Sequence, residues 1–409
     1  MVIPFLPPFV RELGIHDERA VLVWSGWLST AAGLVMAFVA PVWGILADRH
    51  GRKLMVMRSM FGGMLVLGLM AYVQNVHQLL ALRMLQGLLT GTVAASVALV
   101  GSVVPTHRAG FALGLMQTAM YIGNSLGPGI GGRLAYTYGL RVPFMYASGF
   151  LLLAGLFSAL GVHEEFDPQE IEEGKQEAGT IRQIFALTGF TTLAGLLFLV
   201  MFAGSFVGPI LPLYVEKLAG MGLGGATKIT GDILALGGVA AAISATILGR
   251  LGDRLGYGRV LTVCTLLTGL TLIPHAYANT PNQLLFWRLL TSFSGAGTIP
   301  AVNALIRHMI PRHACGKAYG LMQSISCLGW GFGPLVGSAL AAQFGMAKPF
   351  LIVGLVFVAI SGLVYRVTPR VIRQIEVQRL AGLAPAAAEC AADMEEEADE
   401  VIGTGVGRM

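Results

Sequence analysis

Charge is what this chain has least of. Only 12% of its 409 residues are Asp, Glu, Lys or Arg, against 55% hydrophobic ones, and its mean hydropathy is +0.71. A water-soluble domain of this size could not bury so much apolar side chain, so lipid must be the solvent. The formal net charge of +5 is small, and the Arg and Lys residues fall between apolar runs without forming a stripe, which excludes a nucleic-acid partner. Cysteine is scarce as well. Cys264, Cys315, Cys327 and Cys390 form no CxxC pair, which excludes a disulfide framework and a zinc site. The N-terminus has no basic region followed by an apolar stretch and a small-residue cleavage site, so no cleavable signal peptide is expected.

Chemistry-bearing motifs are missing too. Gly220, Gly222 and Gly225 satisfy GxGxxG, but no strand precedes them. "HEEFD" at His163 lacks the second histidine of a zinc helix and reads as acidic linker. No Walker lysine follows a glycine loop, and no His, Asp or Ser cluster lies inside the apolar runs. The expectation is a protein that is not an enzyme, with no catalytic residue, no metal and no cofactor, ATP included.

What the chain does have is long apolar runs and 55 glycines, which membrane helices use to bring backbones together. A bilayer core of about 30 Å needs about 20 apolar residues in a helix. Eleven segments qualify: 23–47, 54–74, 79–104, 109–135, 142–161, 184–213, 229–249, 260–278, 283–310, 315–342 and 349–366. The opening stretch, Met1 to Val10, would rise only about 15 Å as a helix, so it is expected to be the outer half of a twelfth, truncated at its N-terminus. A polar, mostly acidic linker, 163–183, separates an N-terminal bundle, 1–162, from a C-terminal bundle, 184–368. Residues 369–409 turn basic and then Ala-rich and acidic and read as a largely disordered tail. One set of alternate loops carries eleven Lys and Arg residues and the other seven. The positive-inside rule then places the linker, the C-terminus and the "ADRHGRK" loop in the cytoplasm.

The two bundles repeat one another. At an offset of 205, Pro7 meets Pro212, Gly26 meets Gly231, Asp48 meets Asp253, Arg49 meets Arg254, Gly51 meets Gly256 and Arg83 meets Arg288. At 206, "ALGLMQTAMYIGNSLGPGIGG" from Ala112 lies over "AYGLMQSISCLGWGFGPLVGS" from Ala318. The fold expected is all-α: a polytopic membrane protein of two six-helix bundles related by a pseudo-twofold axis, the arrangement of transporters with a substrate site between the halves.

Three groups of residues stand out. "GILADRHGRK", Gly44 to Lys53, joins the second and third helices, with Asp48 able to accept from free N–H groups at a helix start and Arg49, Arg52 and Lys53 keeping the loop inside. It recurs as "GRLGDRLGYGR" with Gly249, Asp253, Arg254 and Gly256. Arg83 in "LALRMLQGLLTG" and Arg288 in "FWRLLTSFSGAG" are arginines in apolar helices, costly and therefore functional candidates, although each also fits a side chain snorkelling to the interface. Gly123, Gly127 and Gly131 share a helix face beside Pro128, and Gly329, Gly333, Pro334 and Gly337 echo them, as a groove for close packing.

These residues resemble the major facilitator superfamily, whose signature loop reads GxLaDrxGrk. The resemblance implies that Asp48 latches against backbone near Gly316 in the outward-open state, that Arg83 with Gln86-Gly87 forms an RxxQG motif, and that "GNSLGPGIGG" is the motif associated with antiporters. The second loop copy departs by placing Tyr257-Gly258 before Arg259, which weakens its latch role. "PFLPPFVRELG" and "WSG" at Trp24–Gly26 are most similar to bacterial twelve-helix drug:proton antiporters of the multidrug resistance type. That resemblance implies a proton-driven monomer in the bacterial inner membrane that exports lipophilic or amphipathic small molecules. Its cavity would be lined by Gln117, Tyr121, Asn124, Phe202, Phe206, Gln323 and Trp330. An uptake symporter of the same fold is the alternative.

The proton carrier is not evident, because no Asp or Glu lies at the midplane of any assigned helix. The coupling candidates are Asp232, His275, Arg83 and Arg288. Asp232 also fits a plain helix N-terminus and His275 an interfacial histidine.

Overall fold

The computed structural model describes residues 3–91, 95–96, 99–100, 104, 106–162, 164, 190–309, 315–367 and 369. The expected linker, Glu164 apart, and the expected tail beyond residue 369 lie outside the described residues. The chain is all-helical, with no strand among the described residues.

A 3-10 turn, Ile3–Phe5, leads into α1 (Leu6–Glu12), α2 (Glu18–His50), α3 (Arg52–Met70), α4 (Val76–Leu89), α5 (Thr106–Tyr138) and α6 (Val142–Gly161). The second half holds α7 (Phe190–Ser205), α8 (Leu211–Ala219), α9 (Leu223–Leu255), α10 (Tyr257–Leu272), α11 (Pro281–Gly295), α12 (Thr298–Met309), α13 (Cys315–Phe344) and α14 (Lys348–Val367). Among the described residues, seven helices are long and apolar enough to cross a membrane.

Some expected spans are broken, and the breaks have local causes. The segment 184–213 divides into α7 and α8 around Gly208-Pro209, because proline cannot donate the helical hydrogen bond and clashes with the turn before it. The segment 283–310 divides between Gly295 and Thr298, where Gly297 brings the backbone close to Cys264 and Leu248. The segment 260–278 finishes as a 3-10 turn, Ile273–Tyr277, with Pro274 in its first turn. The apolar side chains of the short α1 are packed: Leu6, Phe9 and Val10, with Phe5 just before them, have no exposed surface, and Phe9 lies 4.9 Å from Phe144 of α6.

The halves meet along two seams, α2 against α13 and α5 against α9. These seams display the duplication in three dimensions. A Cβ added to Gly26 on α2 would lie 3.2 Å from the Pro334 carbonyl and 2.8 Å from Ser338 Cβ on α13. Gly231, 205 residues on, stands in the same relation to Pro128 and Gly132, each 206 residues before those partners, with distances of 2.6 and 3.2 Å. About two helical turns deeper, Gly33 abuts Gly331, and its equivalent Gly238 abuts Ser125. A contact and its copy occur on opposite sides only if the halves are related by a twofold rotation.

Two ends of the bundle can be distinguished. Arg11 and Glu216 pair at one end, where Arg141 also binds Glu12 and the Ala71 carbonyl. The Asp48 loop lies at the other end, where α2 passes into α3.

Candidate functional site

The stretch from Gly44 to Lys53, expected as a loop, is helical except at one residue: Gly44–His50 end α2, Arg52 and Lys53 open α3, and Gly51 joins them. Gly51 sits at φ 93°, between α2 and α3, and Gly256 sits at φ 90° at the matching point between α9 and α10. Both are in the region open to glycine and costly for other residues. Beyond Gly51 the free N–H groups of Arg52 and Lys53 donate to the Glu164 carboxylate at 3.0 and 2.7 Å, and Lys53 Nζ donates to the Ala159 carbonyl at 2.8 Å. A carboxylate at a helix N-terminus is favoured by the dipole as well as by these two bonds. Sequence reading passed over Glu164 as linker, and only its acidity was available as a signal. Arg49 and Arg254 are exposed. The Asp48 and Asp253 side chains, and with them the expected latch at Gly316, lie outside the described residues. In the second copy Tyr257 lies across Gly252.

Arg83 does not snorkel. It is 4% exposed, with Nε donating to the Leu28 carbonyl of α2 at 2.9 Å and Nη1 donating to Gln86 Oε1 at 2.5 Å. A side chain at Gly87 would strike the Ala32 carbonyl, so the Arg-x-x-Gln-Gly stretch fastens α4 to α2 along one face. Arg288 lies against Gly237 of α9, and its buried Nε has no hydrogen-bond partner among the described residues. The acceptor that Gln86 gives the Arg83 Nη1 has no counterpart either: Thr291 stands at that position and bonds instead to Thr271 Oγ1 at 3.0 Å and to the Trp287 carbonyl.

Of the other two coupling candidates, His275 lies within electrostatic reach of Arg288, whereas Asp232 sits at the seam between the halves. His275 is wholly buried between α8 and α14: its ring stacks on Phe350, its Nδ1 is 3.0 Å from the Thr271 carbonyl, and Tyr214 donates to its backbone carbonyl. Asp232 lies beside the α5–α9 seam, 3.4 Å from the exposed Arg133 of the other half.

The two glycine rows differ. Gly329, Gly333 and Gly337 receive the backbone of Phe198, Phe202 and Phe206, so α13 rides directly on α7 and the turn after it. Phe206 is 4% exposed in that contact and Phe202 half-buried. In the first copy Gly131 is buried and Gly127 half-buried, whereas a side chain at Gly123 would meet nothing described within 4 Å. The seams are made by residues on the neighbouring face, Ser125, Pro128 and Gly132 on α5 and Gly331, Pro334 and Ser338 on α13. Helical steps of about 100° leave a strip between these faces, where the equivalent Asn124 and Trp330 are exposed. Gln117, Tyr121 and Gln323 share that strip by register, their side chains lying outside the described residues.

Sequence reading missed a second apolar strip. On α11, Leu284, Thr291 and Ser294 are buried on one side, while Phe286, Leu290 and Phe293 stand exposed on the other. Their i, i+4, i+7 spacing was the available signal.

Known proteins match this arrangement. The sequence profile of the Major Facilitator Superfamily matches residues 1–230 and 193–388. The multidrug resistance protein MdtG of Serratia proteamaculans is 38% identical over 360 residues, 87% of this chain and 86% of that protein, and MdtG of Enterobacter lignolyticus is 37% identical over 87% and 85%. A bacterial homologue of the human lysosomal transporter Spinster, solved in an inward-facing and occupied conformation, superposes with a TM-score of 0.72 at 14% identity, over 91% of this chain and 93% of that one. The nucleoside transporter NupG gives 0.70 at 12%, over 89% and 94%. This helical, membrane-embedded chain belongs to the major facilitator superfamily and is a transporter, not an enzyme.

Proposed function

We propose that the protein exports amphipathic small molecules from the bacterial cytoplasm across the inner membrane, as a monomer driven by the proton gradient and without ATP or another cofactor. The observation that carries this reading is the paired seam. Two half-bundles in contact along matching glycine-rich stripes can rock about the twofold axis, opening one end as the other closes. The Arg11 end faces outward and is closed; the Asp48 end, the linker and the C-terminus face the cytoplasm.

In this reading α1, α4, α7–α8 and α11–α12 face the central cavity, flanked by α5 and α13. Trp330 and the strip of Phe286, Leu290 and Phe293 then offer a large apolar surface, to which Asn124, at the position equivalent to Trp330, adds an uncharged polar group, and this surface accepts drugs of varied shape. The named activity of the MdtG relatives supports drug export over uptake. Arg83 holds α4 to α2 so that the first half moves as one body. Asp232 couples the cycle to protons, because protonation there would release Arg133 across the seam.

The test is uptake of a lipophilic fluorescent cation into inside-out vesicles with and without a pH gradient, for the wild type, Asp48→Asn, Arg83→Ala and Asp232→Asn. Gradient-driven uptake in the wild type that is lost in Asp232→Asn is expected. Uptake independent of the gradient in all four proteins would remove the antiport reading.

A further inference from the structure

Arg11 and Glu216 form a 2.6 Å ion pair across the two halves, with side chains 24% and 21% exposed. They are separated by 205 residues, the repeat offset itself, so they are two copies of one ancestral position. Only a position beside a twofold axis can touch its own copy. In the undiverged duplicate the same charge would have faced itself. This chain instead carries Arg11-Glu12 in one copy and Glu216-Lys217 in the other, opposite in sign at both positions. Glu12 is held within its own half by Arg141 at 2.9 Å, which leaves Arg11 to reach across the axis.

We propose that Arg11 and Glu216 are the outer gate of the transport cycle, a latch on the pseudo-twofold axis that is closed in this state and parts when the outer mouth opens. The assignment rests on the transporter reading above for the direction of the mouth. The placement supports it: the only ion pairs described between the halves, this one and Arg133–Asp232, lie at the Arg11 end. At the Asp48 end, added side chains at Gly44 and Gly249 would meet nothing described within 4 Å. Neither residue need touch the substrate. They are positioning residues, and their effect is on which mouth is open.

Equivalence about a twofold axis makes a demand that an ordinary surface ion pair does not. Exchanging the two residues should rebuild the same contact, since each already occupies the other's environment. The test uses the full chain with its native cysteines replaced by serine and one reporter, Thr227→Cys, on α9, where the backbone packs against Gly132 of α5. A membrane-impermeant maleimide is applied from either side of the membrane, and drug transport is measured in parallel. Arg11→Glu and Glu216→Arg should each raise labelling from the Arg11 side at least threefold. The exchange Arg11→Glu with Glu216→Arg should return it to within twofold of the parent. Should the single reversals fail to accumulate in the membrane, Arg11→Gln and Glu216→Gln provide the same readout without like-charge repulsion. Unchanged labelling in the singles, or an exchanged protein as altered as the singles, would overturn the gate. Labelling that follows the prediction in a protein that moves no drug would keep the gate and overturn the export reading.

Discussion

The seam glycines make the sharpest quantitative prediction. In Gly231→Ala the new methyl would lie 2.6 Å from the Pro128 carbonyl, and ordinary contact begins at 3.4 Å, so α5 and α9 must separate by 3.4 − 2.6 = 0.8 Å at that level. The obstacle is backbone and cannot rotate aside. In Gly26→Ala the nearest atom is Ser338 Cβ at 2.8 Å, requiring 3.4 − 2.8 = 0.6 Å on the other seam. Overpacking of this kind costs roughly 1–3 kcal/mol. Because the seam at this level is tight with the Arg11 mouth closed, the cost falls on that state and shifts the balance toward the opposite one, by roughly 5- to 150-fold. The cysteine at position 227 reports the shift as faster labelling from the Arg11 side, and both substitutions should move it in the same direction. Gly149→Ala, on α6 where nothing described lies within 4 Å of the added methyl, is the control and should leave the rate unchanged. Normal labelling in Gly26→Ala and Gly231→Ala, or opposite responses from the two, would refute the claim that the seams are equivalent halves of one closing surface.

Other consequences are measurable by thermal unfolding in detergent. Arg83→Ala removes two hydrogen bonds from a buried cation and should lower the midpoint more than Arg288→Ala, whose Nε has no partner among the described residues; bonds to charged groups are worth about 1.5–3 kcal/mol each. An equal or reversed effect would contradict the placement of Arg83. Gly51→Ala and Gly256→Ala each force a side chain to φ near 90° and should cost about 1–3 kcal/mol, whereas Gly44→Ala, with open space around it, should be nearly neutral. Glu164→Gln keeps the shape of the cap but removes its charge, and should cost about 0.5–1 kcal/mol together with faster hydrogen exchange at the Arg52 and Lys53 amides. Unchanged exchange there would show that the carboxylate does not hold the α3 start.

Much of this architecture was legible in the sequence because lipid imposes simple rules. A run of apolar residues must be helical, and two runs of such helices at one offset must fold alike. The equivalences Gly26 with Gly231 and Arg83 with Arg288 were therefore visible before any coordinates. What those residues touch was not. Periodicity marked Gly123, Gly127 and Gly131 as one face, but the choice of neighbour for each face depends on how six helices are arranged around one another, and the seam fell to Ser125, Pro128 and Gly132 instead. Arg83 and Arg288 looked interchangeable because the difference between them is one side chain three residues on, Gln86 in one copy and Thr291 in the other, whose effect appears only once the rotamers are packed. Glu164 was hidden for the opposite reason: it stands in a run of like residues, and only the geometry of the α3 start selects it from the rest.

Symmetry explains why the least conspicuous pair is also the most informative. Contacts away from a twofold axis occur in duplicate, so either copy can drift while the other keeps the halves in register. This is how Arg133–Asp232 exists on one seam while the positions equivalent to it hold Ala339 and Trp27 on the other. A contact on the axis has no duplicate. If both copies there had remained arginine, closing the mouth would have pressed two cations together at a site only about one-fifth to one-quarter exposed. Complementary divergence at that position is therefore what allows a duplicated chain to close on itself, and charge exchange between residues 11 and 216 is tolerated or not according to whether the axis passes between them.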